Sequence, residues 1–435
     1  MTVAGKHECP VARPAWEIPR DWQNAGMRFP PALGLLLAAL LAVPGCHRSG
    51  RAGPWLGELT MLPGPAGAGS RYPHLAGSAG GPVVLSWLEP LPDGGFALRY
   101  SAWHDGAWGP AGTVAQGRDW FVNWADFPSV VPVGPTLWAA HWLQQKPGNV
   151  YSYDVRVATS SDAGRSWSTH FSPHDDGTPT EHGFVSLYAG DRGVGTVWLD
   201  GRNTAGGHDH DGHATGAMTL RGATIAGGAV RAGSGVELDA RVCDCCQTDA
   251  ALTADGPVVV YRDRSERELR DIALVRRDGG RWSQPVRVHE DGWVIDACPV
   301  NGPAVDARER TVVVAWFTAP DTPRVRLAFS DDAGRSFAPP LEVAAGAVAG
   351  RVDVVLLEDG RAVVSWLQQS PEGAEIRAQP FTRAGAAGAP VTIASSTVNR
   401  SSGFPQMLRA GDGLLFAWTA SGEAMGVRTA FAELR

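Results

Sequence analysis

The sequence SSDAGRSW at residues 160–167 recurs, slightly altered, as SDDAGRSF at residues 330–337. Each copy follows a short segment that alternates apolar and polar residues, 155–158 and 325–328. The pattern S-x-D-x-G-x-x-[W/F] predicts a hairpin turn: the aspartate accepts hydrogen bonds from turn amides, the glycine adopts a positive φ, and the aromatic ring packs beneath the sheet. The residues that define the two turns are Ser160, Asp162, Gly164, Trp167, Ser330, Asp332, Gly334 and Phe337. Two copies in one chain indicate a repeated structural unit.

This motif resembles the Asp box, or BNR repeat, of the sialidase superfamily of β-propellers. The resemblance implies that each box lies on the turn between the third and fourth strands of a blade, on the face opposite the active site. It says little about activity, because one fold can carry many functions.

The composition is typical of a large all-β protein. The chain has 435 residues, of which 54 are glycine, 32 proline and 17 tryptophan, and 19% are charged. Such values favour many turns and aromatic packing. The net charge of −7 and the lack of a basic stripe give no indication of a nucleic-acid partner.

The repeat can be followed through second strands that end in an aromatic residue. Seven segments fit: residues 83–87, 137–142, 195–198, 258–261, 312–316, 362–366 and 414–418. Their spacing of roughly 50–60 residues matches a four-stranded blade. The seventh unit lacks an outer strand, which residues 56–61 can supply, so that the ring closes without an open edge. We therefore predict an all-β propeller of seven four-stranded blades closed by an N-terminal strand. Six blades, as in sialidases, or two stacked sandwich domains are the alternatives.

The N-terminal region predicts export. An apolar run at residues 33–42 follows Met27 and Arg28 and is too short to span a membrane, but suits a signal peptide. It ends in VPGC, which resembles a bacterial lipobox, so Cys46 is the predicted lipidation site. Predicted boundaries are a signal peptide with extra upstream residues at 1–45, a tether at 46–54 and a single propeller domain at 55–435. His47 after the cysteine favours an outer-membrane lipoprotein facing the periplasm or the surface, with membrane contact through the lipid anchor only. An ordinary secretory signal with an incidental cysteine is the alternative.

Four cysteines lie where the first strands of units four and five begin. They are Cys243, Cys245, Cys246 and Cys298. Three interpretations remain open: disulfides, which an oxidising envelope favours; a thiolate site for Cu(I) or Zn(II); and redox chemistry. The cysteine pattern also resembles that of bacterial sialidase-like lipoproteins.

A histidine-rich loop follows the second strand of unit three. Its candidate metal ligands are His208, His210 and His213, which should open onto the same face as the cysteines. Imidazole suits both Cu and Zn. A solvated loop without a ligand is the alternative.

Catalytic residues are implied by the family resemblance. A sialidase holds its substrate carboxylate with three arginines, uses an aspartate as acid/base and attacks with a tyrosine activated by a glutamate. Arg71, in the sequence RYP where the family carries Arg-Ile-Pro, together with Asp126 and Arg351, are the candidates. Carboxylate pairs that include Glu181, Asp244 or Asp353 are further candidates for a hydrolase.

The family's tyrosine comes late in the chain, and here no tyrosine follows Tyr261. The sequence therefore favours a non-catalytic lipoprotein that binds a glycan, an envelope protein or a metal ion. An exo-acting, sialidase-like glycoside hydrolase that uses the propeller mouth is the alternative.

Overall fold

The computed structural model describes residues 54–78, 81–147, 150–190, 193–204, 216–231, 235–422 and 424–435. Within them the strands form seven small antiparallel sheets arranged as a seven-bladed β-propeller, which confirms the predicted fold and blade number. The predicted signal peptide, Cys46, His208, His210 and His213 lie outside the described residues.

The first three blades follow the order of the chain, each beginning with its innermost strand. Blade 1 comprises Arg71–Ala76, Val83–Pro90, Phe96–His104, Ala107–Trp108 and Gly112–Gly117. Blade 2 comprises Ser129–Pro132, Trp138–Gln145 and Tyr153–Ser160. Blade 3 comprises His182–Gly190, Gly193–Asp200, Met218–Ala226, Ala229–Val230 and Val236–Val242, with a 3₁₀ turn at Arg202–Thr204.

The remaining blades repeat this arrangement. Blade 4 comprises Asp249–Thr253, Gly256–Arg262, Ile272–Asp278, Arg281–Trp282 and Val286–Arg287. Blade 5 comprises Ala304–Arg308, Thr311–Thr318, Arg324–Ser330 and Leu341–Ala345. Blade 6 comprises Val348–Leu356, Ala362–Ser370, Gly373–Thr382, Gly385–Ala386 and Val391–Ser396. Blade 7 comprises Gln406–Ala410, Gly413–Ala420 and Gly426–Glu433, preceded by a 3₁₀ turn at Arg400–Ser402.

An N-terminal strand completes blade 7, as predicted. Thr60–Leu62 runs antiparallel to Gly426–Glu433, with Thr60 opposite Phe431. An isolated bridge between Leu56 and Leu434 extends the pairing. The regular strand is shorter than the predicted segment 56–61, but the ring is closed in the predicted way.

The hydrophobic core is divided among the interfaces between neighbouring blades. Seven clusters of buried side chains fill the seven interfaces, because each sheet has two faces and each face must be covered by the next blade. Trp87 and Trp316 lie within the second strands of blades 1 and 5, which continue past the predicted ends, and both are fully buried in these clusters. These two aromatic positions, from which the repeat was recognised, are therefore core residues.

Both Asp boxes have the predicted turn geometry. In the first box, Asp162 accepts hydrogen bonds from the amide and the hydroxyl of Ser166, and Gly164 has a φ of 83°. The Ser160 hydroxyl also accepts the Gly164 amide at 2.9 Å. The same contacts recur at Ser330, Asp332 and Ser336. Each box follows the third strand of its blade, in blades 2 and 5. Each box therefore lies on the face of the propeller where third strands end. The first and third strands of each blade begin on the opposite face, which we call the mouth.

Three aspartates join consecutive blades near the inner strands. Asp249, Asp306 and Asp353 each accept the amide of the following residue and an amide of the next blade, from Val305, Leu356 and Met407 at 2.6–2.7 Å. We call these three residues the latch aspartates. Among the described residues, no helix is both long and apolar enough to cross a membrane.

Candidate functional site

The four predicted cysteines come together at the mouth. A turn at Asp244 and Cys245 follows the last strand of blade 3, and the amide of Cys243 donates to the Arg262 carbonyl at 3.0 Å. This turn places the Cys243 sulfur 3.5 Å from that of Cys246 and 3.9 Å from that of Cys245. Cys298, from the segment that enters blade 5, interacts with Cys245. Residues from two neighbouring blade entrances therefore form one thiol cluster, Cys243, Cys245, Cys246 and Cys298.

The predicted disulfides are not found among the described cysteines. All four are free thiols in this structure, and no two sulfurs lie at the ~2.05 Å of a disulfide bond. The observed spacings instead match those of ligands around one ion. With a Zn–S distance of ~2.3 Å, neighbouring sulfurs of a tetrahedral site lie ~3.8 Å apart. The sulfurs of Cys243, Cys245 and Cys246 all lie within 4.8 Å of one another.

Charged residues form a second layer around the thiol cluster. Arg270 donates to the Cys243 sulfur at 3.2 Å and to Glu268 at 2.7 Å. Glu268 also binds Arg264, which in turn binds Asp244 at 2.9 Å. The sequence signal for this layer is the charged segment RDRSERELRD at 262–271, which follows the second strand of blade 4 and so must reach the mouth.

These charged and thiol neighbours give the four cysteines different pKa values. Burial opposes ionisation of Cys243, but hydrogen bonds from Cys245 and Cys246 and the charge of Arg270 outweigh it and hold its pKa well below the ordinary value. Hydrogen bonding to the Cys243 sulfur raises the pKa of Cys245, and burial raises that of Cys246. The hydrogen bond with Cys245 lowers the pKa of Cys298. The cluster thus presents one stabilised thiolate to an incoming cation.

Asp126 belongs to a second polar group at the mouth. Its Oδ1 accepts the Phe184 amide at 2.7 Å, and its Oδ2 lies 3.2 Å from the hydroxyl oxygen of Tyr153. The same hydroxyl is hydrogen-bonded to Glu181. A Cβ atom at Gly183 would lie 2.0 Å from Asp126 Oδ2, so this close approach requires glycine. We call Asp126, Tyr153 and Glu181 the Tyr153 triad.

Tyr153 was missed by the sequence analysis, which looked for a tyrosine late in the chain. Its position at the start of a third strand, an end that faces the mouth, was the available signal. Its side chain is 0% exposed, and the Phe121 ring stacks on it at 4.0 Å between centroids. The hydroxyl is therefore enclosed by protein groups.

The two arginine candidates have partners elsewhere in the protein. The buried Arg351 guanidinium donates to the carbonyl oxygens of Val398, Asn399 and Gly403, and also to the Ser402 hydroxyl. It also lies over the Trp124 ring at 4.8 Å. Burial lowers its pKa to about 10. Arg71 donates to the Gly69 carbonyl at 3.3 Å and lies over Phe96. Arg71, Asp126 and Arg351 thus have different hydrogen-bond partners.

A buried histidine pair was also not predicted. His174 and His182 stack in parallel with centroids 3.9 Å apart, among the carboxylates of Asp154, Asp176 and Asp200. Lys146 binds Asp154 at 2.7 Å, and Arg202 binds Asp200 at 2.7 Å and Asp176 at 3.2 Å. Arg156 also binds Asp154, at 3.4 Å, so three cations face the three carboxylates and the cluster is a charge-balanced network that joins blades 2 and 3.

The seven closed blades and the two Asp boxes decide the fold. This is a seven-bladed β-propeller with Asp-box turns. No protein-family model and no curated protein matches the chain.

Solved structures similar to this propeller include a protein of unknown function from Dyadobacter fermentans, at 14% identity, 87% coverage of this chain, 98% of that chain and a TM-score of 0.48. NanB sialidase from Streptococcus pneumoniae is similar at 11% identity, with 86% and 70% coverage and a TM-score of 0.45. An α-L-arabinofuranosidase from Fusarium graminearum is similar at 12% identity, with 87% and 98% coverage and a TM-score of 0.43. At these identities and TM-scores the similar structures do not indicate a function, so a function must be inferred from the residues of this chain.

Proposed function

We propose that this protein is a non-catalytic, lipid-anchored propeller of the bacterial cell envelope that binds one soft metal ion, Cu(I) or Zn(II), at its mouth. The thiol cluster supports this proposal, since the sulfurs of Cys243, Cys245 and Cys246 lie at the spacing of ligands around one ion and Cys298, from the next blade entrance, can supply a fourth. Its partner in this proposal is an envelope protein that delivers or receives the ion.

The surroundings of the thiol cluster suit a metal-thiolate site. Thiolates bind Cu(I) and Zn(II) more readily than hard cations. Second-layer hydrogen bonds orient ligands and tune their basicity, and Arg270 makes such a bond to Cys243. Four protein sulfurs leave no ligand position open on a tetrahedral ion, which favours storage or transfer over catalysis. Cys298 is exposed, so one side of the site is accessible for metal exchange.

Glycoside hydrolysis is less well supported. A three-arginine clamp needs free guanidinium groups, whereas Arg351 and Arg262 are each surrounded by backbone carbonyls that accept their hydrogen bonds. The Tyr153 hydroxyl is enclosed between Asp126 and Glu181. For these reasons the glycosidase alternative is not part of the proposal.

Metal content and thiol count of the purified protein test the proposal. We expect about one Cu or Zn per chain by elemental analysis. After the ion is removed under denaturing conditions, we expect four reactive thiols in the mature protein. Reconstitution of the metal-free protein with Zn(II) should raise its melting temperature, because the ion binds the folded state. An unreduced intact mass four hydrogens lower than that of the free-thiol chain, with no bound metal, would instead establish two disulfides and overturn the proposal.

Lipidation at Cys46 is tested by changing that residue. Cys46→Ser removes the sulfur that would carry the lipid, so we expect the variant to leave the membrane fraction and appear in the soluble fraction. A Ser49→Ala variant is the control and should remain with membranes. Unchanged membrane partitioning of Cys46→Ser would contradict lipid anchoring at this position.

A further inference from the structure

We propose that the Tyr153 triad is a proton-binding site that holds one carboxyl proton at neutral pH.

A hydrogen count at Tyr153 requires the shared proton. The tyrosine oxygen contacts a carboxyl oxygen of both Asp126 and Glu181, but a phenol carries a single hydrogen to donate. Two ionised carboxylates can only accept, so one of the two contacts would then lack a hydrogen and bring lone pairs together. One carboxyl group of the triad must therefore be protonated.

Asp126 is the carboxyl group that carries this proton. It is 2% exposed, whereas Glu181 is partly exposed. Its Oδ1 already accepts the Phe184 amide, which leaves Oδ2 to hold the proton and donate to Tyr153. Tyr153 then donates to Glu181. The hydrogen bonds run in one direction, from buried Asp126 through Tyr153 to the more accessible Glu181.

The electrostatic surroundings agree with this order. Burial raises the pKa of Asp126 to about 8, and Glu181 adds to the effect. Burial also raises the pKa of Glu181 to about 7, and the charge of Asp244 adds to it. Burial and both carboxylates raise the pKa of Tyr153 well above its ordinary value. Near neutral pH, Glu181 is therefore the member that exchanges a proton with its surroundings.

Infrared spectroscopy of the metal-free protein tests this site. We expect the carbonyl stretch of a protonated carboxylic acid at neutral pH, and its loss in Asp126→Asn. The asparagine is the matched variant, because its amide can accept the Phe184 N–H and donate to Tyr153 as the acid does. It should therefore unfold at a urea concentration close to that of the unaltered protein at pH ~4, and at a higher one near pH 6, where the unfolded aspartate ionises and an asparagine cannot. Absence of the acid band in the unaltered protein would overturn the proton-binding site.

The pH dependence of unfolding gives an independent readout. Folded Asp126 keeps its proton up to about pH 8, whereas an unfolded aspartate loses it near pH ~4. The folded state thus binds more protons between these values, so this contribution to stability is complete below pH ~4 and is lost as the pH rises through about 8. Asp126→Asn should remove one proton from the number released on unfolding at pH 6. An unchanged number would contradict the assignment to Asp126.

Discussion

Replacing Cys245 and Cys298 together by serine is expected to weaken the binding of Zn(II) at least about a thousandfold. Four-ligand thiolate or imidazole sites bind Zn(II) with apparent free energies of ~10 kcal/mol or more, so loss of two ligands removes roughly 5 kcal/mol. These two cysteines are the more accessible members of the thiol cluster. Their replacement should leave the buried packing around Cys243 and Cys246 in place. Competition with a chromophoric chelator measures the affinity.

Val294→Ser is the matched control for these cysteine variants. Val294 is 64% exposed and precedes Cys298 in the same segment, so this serine should leave the affinity for the ion unchanged. Melting temperatures of the metal-free proteins show whether the double variant folds. If a folded double variant binds Zn(II) and Cu(I) as tightly as the unaltered protein, the thiol cluster is not the metal site.

Asp306→Ala is expected to lower the free energy of unfolding by about 3 kcal/mol, because two backbone amides lose their acceptor. Asp306 accepts the Ala307 amide within its own blade and the Leu356 amide of the next blade, both at 2.7 Å. The alanine removes both contacts and weakens the junction between blades 5 and 6. Thermal unfolding, with urea unfolding where it is reversible, measures the loss.

Asp412→Ala is the control for the latch variant. Asp412 is an exposed aspartate on a turn of blade 7, and its replacement should change stability by no more than ~0.5 kcal/mol. Equal stabilities of the Asp306 and Asp412 variants would show that the latch hydrogen bonds contribute nothing beyond those the amides make with water.

The periodic features of the fold could be predicted from the sequence. The Asp boxes combine a rigid turn with a fixed residue order, and each second strand carries an aromatic residue near its C-terminal end, so both produce patterns that repeat in the chain. The closing strand could be predicted because the seventh unit lacked a partner. The latch aspartates were less visible: Asp353 was considered as a mouth carboxylate, yet its two oxygens accept backbone amides.

The candidate site could be predicted only where one short segment brings its own residues together. Cys243, Cys245 and Cys246 are neighbours in sequence, and Cys298 occupies the equivalent entrance of the next blade. Tyr153 begins the third strand of blade 2, and Glu181 precedes the first strand of blade 3. Their contact depends on how two blades pack, so no pattern in the sequence predicts it. Arg351 is the opposite case. Its charge led to the prediction that it binds a substrate, but its partners are backbone carbonyls of a segment about fifty residues later in the chain.

The strand that closes blade 7 has a consequence for the order of folding. Thr60–Leu62 pairs with Gly426–Glu433, which lies at the other end of the propeller sequence. Contacts of such long sequence separation form late, because a large loop must close before they contribute. A chain that emerges from a ribosome or a translocation channel N-terminus first can assemble its inner blades in turn, but its first strand stays unpaired until the last one arrives. Until then an exposed strand edge is open to pairing with other chains, so this step is the one at which a folding helper would have the most effect.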